Sequence, residues 1–440
     1  MKVPTFIIVV LMGLTPILLV ALLVITPTLT LVAWQPPKVW SNQFGPSPGF
    51  QSGVSSVSAT SDALYAGGYL GFPLGSMNSS NSGIFVARYD LSGRQIWIRL
   101  FGDPGERVHV VKARNGGVIA AGLTNGQGFV RYYDRNGTQV WTNQALDDFY
   151  DTSEGGSVVY AVGYYRATNV LFIYELQAFD LKGGFLWNST ISHRCVDCTN
   201  VNVYASSVGI YISSSDYTRG LSDLQLYYLN GTLKWTHQLD CVSCSATGVS
   251  GDGTGVYVAG YVNPVGNNAL YLNKYDLSGN QLWTHQFTTD YLSGRFVHMS
   301  ADSSGIYLAI EGINSGGSIV RYDSGGSQVW SFGMRATPFA VSGGGDGVYV
   351  GGGTGGSSIG SFGAAYGFLA GFWQSSSLIF FGLNPPLSFG LAALLAGAAV
   401  TSVWWMRRRY KNKPMSYSKE KATLKSKRIP SDALGTIQVY

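Results

Sequence analysis

The sequence predicts an all-β chain folded as a seven-bladed β-propeller. Three observations carry this. A turn motif recurs at Asp90…Gly93…Trp97, Asp134…Gly137…Trp141, Asp180…Gly183…Trp187, Tyr228…Gly231…Trp235, Asp276…Gly279…Trp283 and Asp323…Gly326…Trp330. Its tryptophans stand 44, 46, 48, 48 and 47 residues apart, a period that suits one four-stranded blade. Charged residues make up only 12% of the chain, and 58 residues are glycine, the composition of closely packed sheets joined by tight turns.

Each unit then justifies its strands in order. Alternating runs that end in small residues, such as Leu64–Gly68, Val118–Gly122, Val159–Gly163, Val256–Gly260 and Val348–Gly352, read as second strands near the axis. Runs such as Ile84–Tyr89 and Leu270–Tyr275 alternate as third strands. The Asp-x-x-Gly segment turns the chain, because glycine accepts positive φ. The tryptophan begins an outer strand and is wedged between blades.

The count closes on itself. Lys38–Gly45 resembles an outer strand with no inner strands before it. At the other end, Phe339–Val341, Val348–Gly351 and Gly367–Trp373 supply three strands and no outer one. Joined, they make a seventh blade clasped by the N-terminal strand, which removes open sheet edges. Trp40 and Trp97 are 57 residues apart, and the surplus is a polar excursion over Gly71–Gly83.

The flanks are hydrophobic. No charge lies between Lys2 and Lys38, so residues 1–34 read as a signal-anchor helix or a cleaved signal peptide. After the propeller at 38–373 and a short linker at 374–386, residues 387–406 form an uncharged stretch ending in Trp404-Trp405, followed by Arg407–Lys413. Interfacial aromatics before a basic cluster predict a transmembrane helix with its C-terminal end in the cytoplasm. The tail, 407–440, carries ten Lys/Arg against Glu420 and Asp432, about +8 of a whole-chain +5, which leaves −3 for the rest. The basic balance therefore belongs to the tail, where it suits anionic lipid, and a nucleic-acid partner loses support. The expected topology is N-terminus in, propeller out, tail in, at the cell membrane. Trp373 and Lys38 then lie side by side, so both tethers leave one corner of blade seven. Blade seven is expected next to the membrane, and blades three and four farthest away if the disc stands on edge.

The four cysteines form two pairs, Cys195/Cys198 and Cys241/Cys244, offset by one blade period and placed in equivalent loops between an outer strand and the next inner one. In an extracytoplasmic domain they read as disulfides; the alternative is a four-thiolate zinc site. Glycosylation sequons fall at Asn78, Asn136, Asn188 and Asn230, and at Asn136 and Asn230 the following glycine already explains the asparagine as a turn residue. His109 and His298 fall in inner strands and are candidates to face the channel. His193, His237 and His285 lie on or after outer strands. Asp151, Arg107, Asn202 and Arg295 are further candidate channel residues. No HExxH, Gly-x-Ser-x-Gly or phosphate-binding loop occurs, and Gly343–Gly360 lacks the strand–helix setting of a nucleotide loop.

At Tyr89–Trp97 and Tyr275–Trp283 the chain resembles the β-propeller repeat proteins of the SBBP type and the quinoprotein-like (PQQ-like) propeller superfamily. The resemblance spans roughly residues 38–373. It implies the fold and leaves the function open, because such repeats serve in enzymes, assembly factors and surface proteins. Quinoprotein dehydrogenases usually have one more residue between Asp and Gly, a calcium-binding acidic cluster, and a disulfide over the quinone. No such acidic cluster is recognisable here, so no cofactor is carried over. The expected function is a non-catalytic binding, adhesion or envelope-assembly module whose partner is a protein or glycan at the cell surface. The alternatives are a sensory ectodomain acting through the tail and a quinoprotein-like dehydrogenase.

Overall fold

The computed structural model describes residues 38–44, 50–73, 83–103, 106–114, 116–168, 171–195, 200–216, 220–239, 244–262, 269–288, 297–312, 316–345, 347–354 and 366–373. All belong to one compact unit, Leu31–Ser376. The expected N-terminal anchor (1–34), linker (374–386), transmembrane helix (387–406) and tail (407–440) lie outside the described residues. Among the described residues no helix is long and apolar enough to cross a membrane.

Seven four-stranded antiparallel sheets are present. Blade I is β2 (Phe50–Ala59), β3 (Leu64–Pro73), β4 (Gly83–Tyr89) and β5 (Gln95–Phe101), after a lone β1 (Lys38–Phe44). Blade II is β6 (Arg107–Arg114), β7 (Gly117–Thr124), β8 (Gln127–Asp134) and β9 (Gln139–Gln144). Blade III is β10 (Asp148–Gly155), β11 (Val158–Thr168), β12 (Leu171–Asp180) and β13 (Phe185–Cys195). Blade IV is β14 (Val201–Ala205), β15 (Ile210–Asp216), β16 (Leu221–Tyr227) and β17 (Leu233–Gln238). Blade V is β18 (Cys244–Gly251), β19 (Val256–Val262), β20 (Ala269–Tyr275) and β21 (Gln281–Thr288). Blade VI is β22 (Val297–Asp302), β23 (Gly305–Glu311), β24 (Gly317–Tyr322) and β25 (Gln328–Met334). Blade VII is β26 (Thr337–Gly344), β27 (Gly347–Thr354) and β28 (Tyr366–Trp373), completed by β1.

The clasp is as the sequence predicts: β1 pairs antiparallel with β28, with Lys38 opposite Phe372 and Phe44 opposite Gly367. Two boundaries differ from expectation. Each outer strand begins two residues before its tryptophan, at Gln95 for Trp97, because the turn closes earlier with Asp90 N–H donating to the Arg94 carbonyl at 2.9 Å. The blade I excursion is also shorter, since β3 runs on to Pro73.

The core is a set of layers between blades. One layer joins Tyr65, Ile84, Val86 and Trp97 of blade I to Val108, Val118, Ala120 and Phe129 of blade II, all buried. The tryptophan of every blade but VI reaches the turn of the next, since blade VII takes its outer strand from β1 and has no such turn. Trp97 donates its indole N–H to the Arg135 carbonyl at 2.9 Å, and Trp40 and Trp141 do the same to Leu91 and Leu181. Burial of each indole stabilises by about 2–3 kcal/mol.

The inner strands are laced by side-chain acceptors. Ser56 Oγ accepts the Val111 N–H at 3.0 Å, Ser58 Oγ that of Ala113 at 2.9 Å, Ser153 Oγ that of Ala205 at 2.9 Å and Ser250 Oγ that of Ala301 at 3.0 Å. Ser342 Oγ accepts the Ala59 N–H at 3.1 Å, which carries the lacing across the closure from blade VII to blade I. These bonds occupy backbone donors that neighbouring sheets would otherwise leave unpaired in the interior.

Each blade is an antiparallel meander, so its connections sort onto two faces. Turns between first and second, and third and fourth, strands share one face, called here the turn face. Connections between second and third strands, and between blades, share the opposite loop face. The second-to-third connections range from two residues, Asn125–Gly126, to eleven at 355–365. The end of β28 and the start of β1 both lie at the turn face.

Candidate functional site at the loop face

Consecutive inner strands touch in ring order, so their side chains surround the propeller axis. Five of these strands carry a register shift at an equivalent position, passing over Ser55 in β2, His109 in β6, Tyr150 in β10, Thr247 in β18 and Phe339 in β26; β2 has a second shift between Gln51 and Gly53. A bulge re-aims its extra side chain, so it sets what the strand presents. Two bulge residues are spent on structure. Ser55 donates to the Val108 carbonyl, and Thr247 donates to the Val297 carbonyl at 2.7 Å.

His109 and Tyr150 form a different arrangement, where blades II and III meet. His109 Nε2 lies 3.0 Å from Asp148 Oδ2. The Asp148 side chain is 4% exposed, and its Oδ1 is buried with no hydrogen-bond partner among the described residues. Tyr150 sits edge-on to His109 at 5.3 Å and stacks on Tyr164 at 5.5 Å and Tyr174 at 6.4 Å. Phe172 extends the ladder, 5.2 Å from Tyr164, and the Arg166 guanidinium lies 5.6 Å over Phe172. Burial pushes the Tyr150 phenol well above its ordinary value, helped by Tyr174, Tyr164 and the Asp148 carboxylate and opposed by Arg107. Tyr150 therefore stays a neutral hydroxyl at physiological pH. A half-buried aromatic ladder beside a His–Asp pair and two arginines provides stacking faces with directional polar groups, the chemistry of recognition.

The other sequence candidates separate from this cluster. Asp151 is buried lacing: its Oδ2 accepts the Val203 N–H at 2.9 Å, its Oδ1 accepts the Thr152 N–H at 2.8 Å, and Lys112 Nζ lies 3.8 Å away. Arg107 opens β6 and is exposed at the loop face. Asn202 Nδ2 reaches Ser213 Oγ at 3.5 Å inside blade IV. His298 lies 3.5 Å from Glu311 in blade VI, His237 packs on Tyr275 at 5.7 Å, and His285 on Trp283 at 4.9 Å. His193 is in β13, with its side chain outside the described residues, as is all of Arg295.

The cysteines are not all in loops. Cys195 ends β13, opposite Phe172, and Cys244 opens β18, opposite Val262 and buried. The strands simply run farther than the turn chemistry suggested. Cys198, Cys241 and the Cys195 side chain lie outside the described residues. No free thiol is present among the described residues. Nor do any three described His, Cys, Asp or Glu residues group as metal ligands. Asn136 and Asn230 are exposed in third-to-fourth turns, Asn188 is on β13 with its Nδ2 donating to Glu175 Oε2 at 3.1 Å, and Asn78 lies outside the described residues.

Sequence reasoning found His109 but not its setting. Tyr150, Tyr164 and Tyr174 sit on three successive strands, and only the register that places Tyr164 opposite both Asp148 and Tyr174 brings them together. The bulges that re-aim His109 and Tyr150 carry no residue signature.

No family model matches the chain, and no curated protein does. Solved structures do. Hydrazine synthase from Kuenenia stuttgartiensis is 12% identical over 70% of this chain and 94% of that one, with a TM-score of 0.50. BamB from Moraxella catarrhalis is 11% identical over 76% and 100%, with a TM-score of 0.39. BBS1N, solved in complex with ARL6DN, is 11% identical over 77% and 97%, with a TM-score of 0.45. At these identities the likeness to hydrazine synthase speaks to fold alone: by architecture, the chain is a seven-bladed β-propeller.

Proposed function

We propose that this chain is a membrane-tethered, outward-facing, non-catalytic propeller that binds a partner in the cell envelope through its loop face. The observation that carries the reading is the division of labour between the two faces. Both ends of blade VII, Lys38 and Trp373, lie at the turn face, next to the hydrophobic stretches of the sequence. The connections of varied length and the His109–Tyr150 cluster lie at the other face, the end of a propeller where loops carry recognition. In this reading the basic tail is cytoplasmic and meets anionic lipid. The paired cysteines are oxidised and hold the connections flanking blade IV; the lack of a free thiol at Cys244 supports this.

The test is photo-crosslinking in the native envelope, with a benzophenone amino acid replacing Tyr164 at the loop face or Arg94 at the turn face. The reading expects a discrete crosslinked partner from Tyr164 and none from Arg94. Crosslinks from Arg94 alone overturn it.

A further inference from the structure

We propose that the groove between blades I and II binds a carboxylate group of an acidic peptide segment, held by Arg99 and Arg131. The open groove has a volume of about 410 Å³ and is lined by Arg99, Leu100, Phe101, Arg131 and Tyr133, with the blade II turn at Gly137 and Thr138 leading into β9. Its two guanidinium groups come from different blades, Arg99 on β5 and Arg131 on β8.

Both arginines are held in place without being neutralised. Arg99 donates Nε to the Gly137 carbonyl at 2.7 Å and Nη2 to the Asn136 carbonyl at 3.3 Å. The Arg131 guanidinium lies 4.4 Å from the Phe101 ring and 4.7 Å from the Phe129 ring, and its Nε reaches Thr142 Oγ1 at 3.3 Å. Among the described residues neither has a carboxylate within salt-bridge distance, whereas Arg88, Arg94, Arg114 and Arg135 each do. Burial raises the Tyr133 phenol above its ordinary value, and Arg131 and Arg99 both oppose that rise. Arg99 also donates Nη1 to the Ile98 carbonyl at 3.1 Å, so one N–H on each of its terminal nitrogens, together with the Arg131 Nη groups, is left for a carboxylate.

The pair is specific to this groove. Arg99 follows its tryptophan by two residues, and Arg131 precedes by one the residue paired with Trp141. At the same two positions the next groove carries Asn143 and Gln177, and the groove between blades V and VI carries His285 and Val320. None of the other six combines two basic side chains.

Two features favour a peptide over a free anion or an acidic sugar. The outer edge of β5 has no strand partner in its sheet, so main-chain groups are open to an added strand. Leu100, beside Arg99, is 60% exposed, the most of any large hydrophobic residue among the described residues, and offers an apolar contact next to the cations. The ligand is thus a strand that alternates acidic and apolar side chains.

This goes beyond the loop-face reading, because the groove lies at the outer edge of blades I and II and reaches the blade II turn at Gly137 and Thr138. The experiment uses the full-length chain in detergent and a fluorescent, end-blocked hexapeptide of alternating leucine and glutamate, read by anisotropy against its glutamine twin. The glutamate peptide should bind at least about tenfold tighter, and Arg99→Gln and Arg131→Gln should each remove about that factor in protein that is still fully folded at the assay temperature by its melting curve. Arg94→Gln, an exposed turn residue of the same blade, should leave affinity unchanged. Equal affinity for the two peptides, affinity indifferent to both arginines, or competition by glucuronate without peptide binding would overturn the site. A chain that crosslinks an envelope partner through Tyr164 yet ignores this peptide keeps the binding-module reading and loses this groove.

Discussion

Trp97 and Gly137 belong to different blades, and each explains the other. A Cβ on Gly137 would lie 2.7 Å from Trp97 Cδ2, and Gly137 has a φ of +78°. The same relation joins Trp40 to Gly93, Trp141 to Gly183, Trp187 to Gly231 and Trp235 to Gly279. The recurring Gly…Trp motif therefore holds a glycine that receives one tryptophan and a tryptophan that reaches a different glycine. It is a device for joining blades.

Gly137→Ala should destabilise the propeller by about 2–4 kcal/mol, from the left-handed backbone and the collision together. Gly126 is the control. Its φ is +70°, but no atom lies within 4 Å of a Cβ there, so Gly126→Ala should cost only about 1–2 kcal/mol. Denaturation midpoints of the two variants check this, and equal losses would remove the packing role of Gly137.

Ser56→Ala should cost about 1–3 kcal/mol, because the buried Val111 N–H loses its acceptor. Ser92→Ala, in an exposed turn, should stay within about 0.5 kcal/mol of the parent. Hydrogen exchange at Val111 should quicken in the first variant only.

Burial raises the Asp151 carboxyl above the usual carboxylate range, against the opposing pull of Lys112 and the N–H groups of Val203 and Thr152. The folded state thus holds this proton more tightly than the unfolded chain, whose value is about 3.9. The contribution is fully present below that unfolded value and is lost as pH rises through the higher folded one. The stability of the parent relative to Asp151→Asn should therefore decline as pH rises from about 3.5 through the acid range, then level off. Urea midpoints across that range test the sign; a relative stability that climbs with pH contradicts it.

Replacing β1 with a Gly/Ser stretch of the same length should lower the melting temperature of the whole propeller, because blade VII loses its outer strand and the Trp40 indole leaves the Leu91 carbonyl. A melting temperature within about a degree of the parent would remove the closure role of β1, since losing a whole outer strand should cost several kcal/mol and each kcal/mol shifts the midpoint of a propeller this size by about 1–2 degrees.

Blade number and closure were legible because they depend on features that repeat: a tryptophan every blade, a turn before it, and an orphan strand at Trp40. What was not legible depends on registration between strands. Asp151 looked like a channel residue, yet its bulged strand turns it to the Val203 N–H. Tyr150 gained its stacking partners from pairings three strands deep. Arg99 and Arg131 are 32 residues apart, and only the seating of Trp97 on the blade II turn brings them over one groove.

The outward orientation of the propeller is the claim on which the functional reading turns, and protease added to intact cells tests it most directly. With an epitope at the C-terminal end of the tail, the account predicts cleavage of the propeller at its loop-face connections while a tail fragment keeps its epitope. A protected propeller with a digested tail would contradict it.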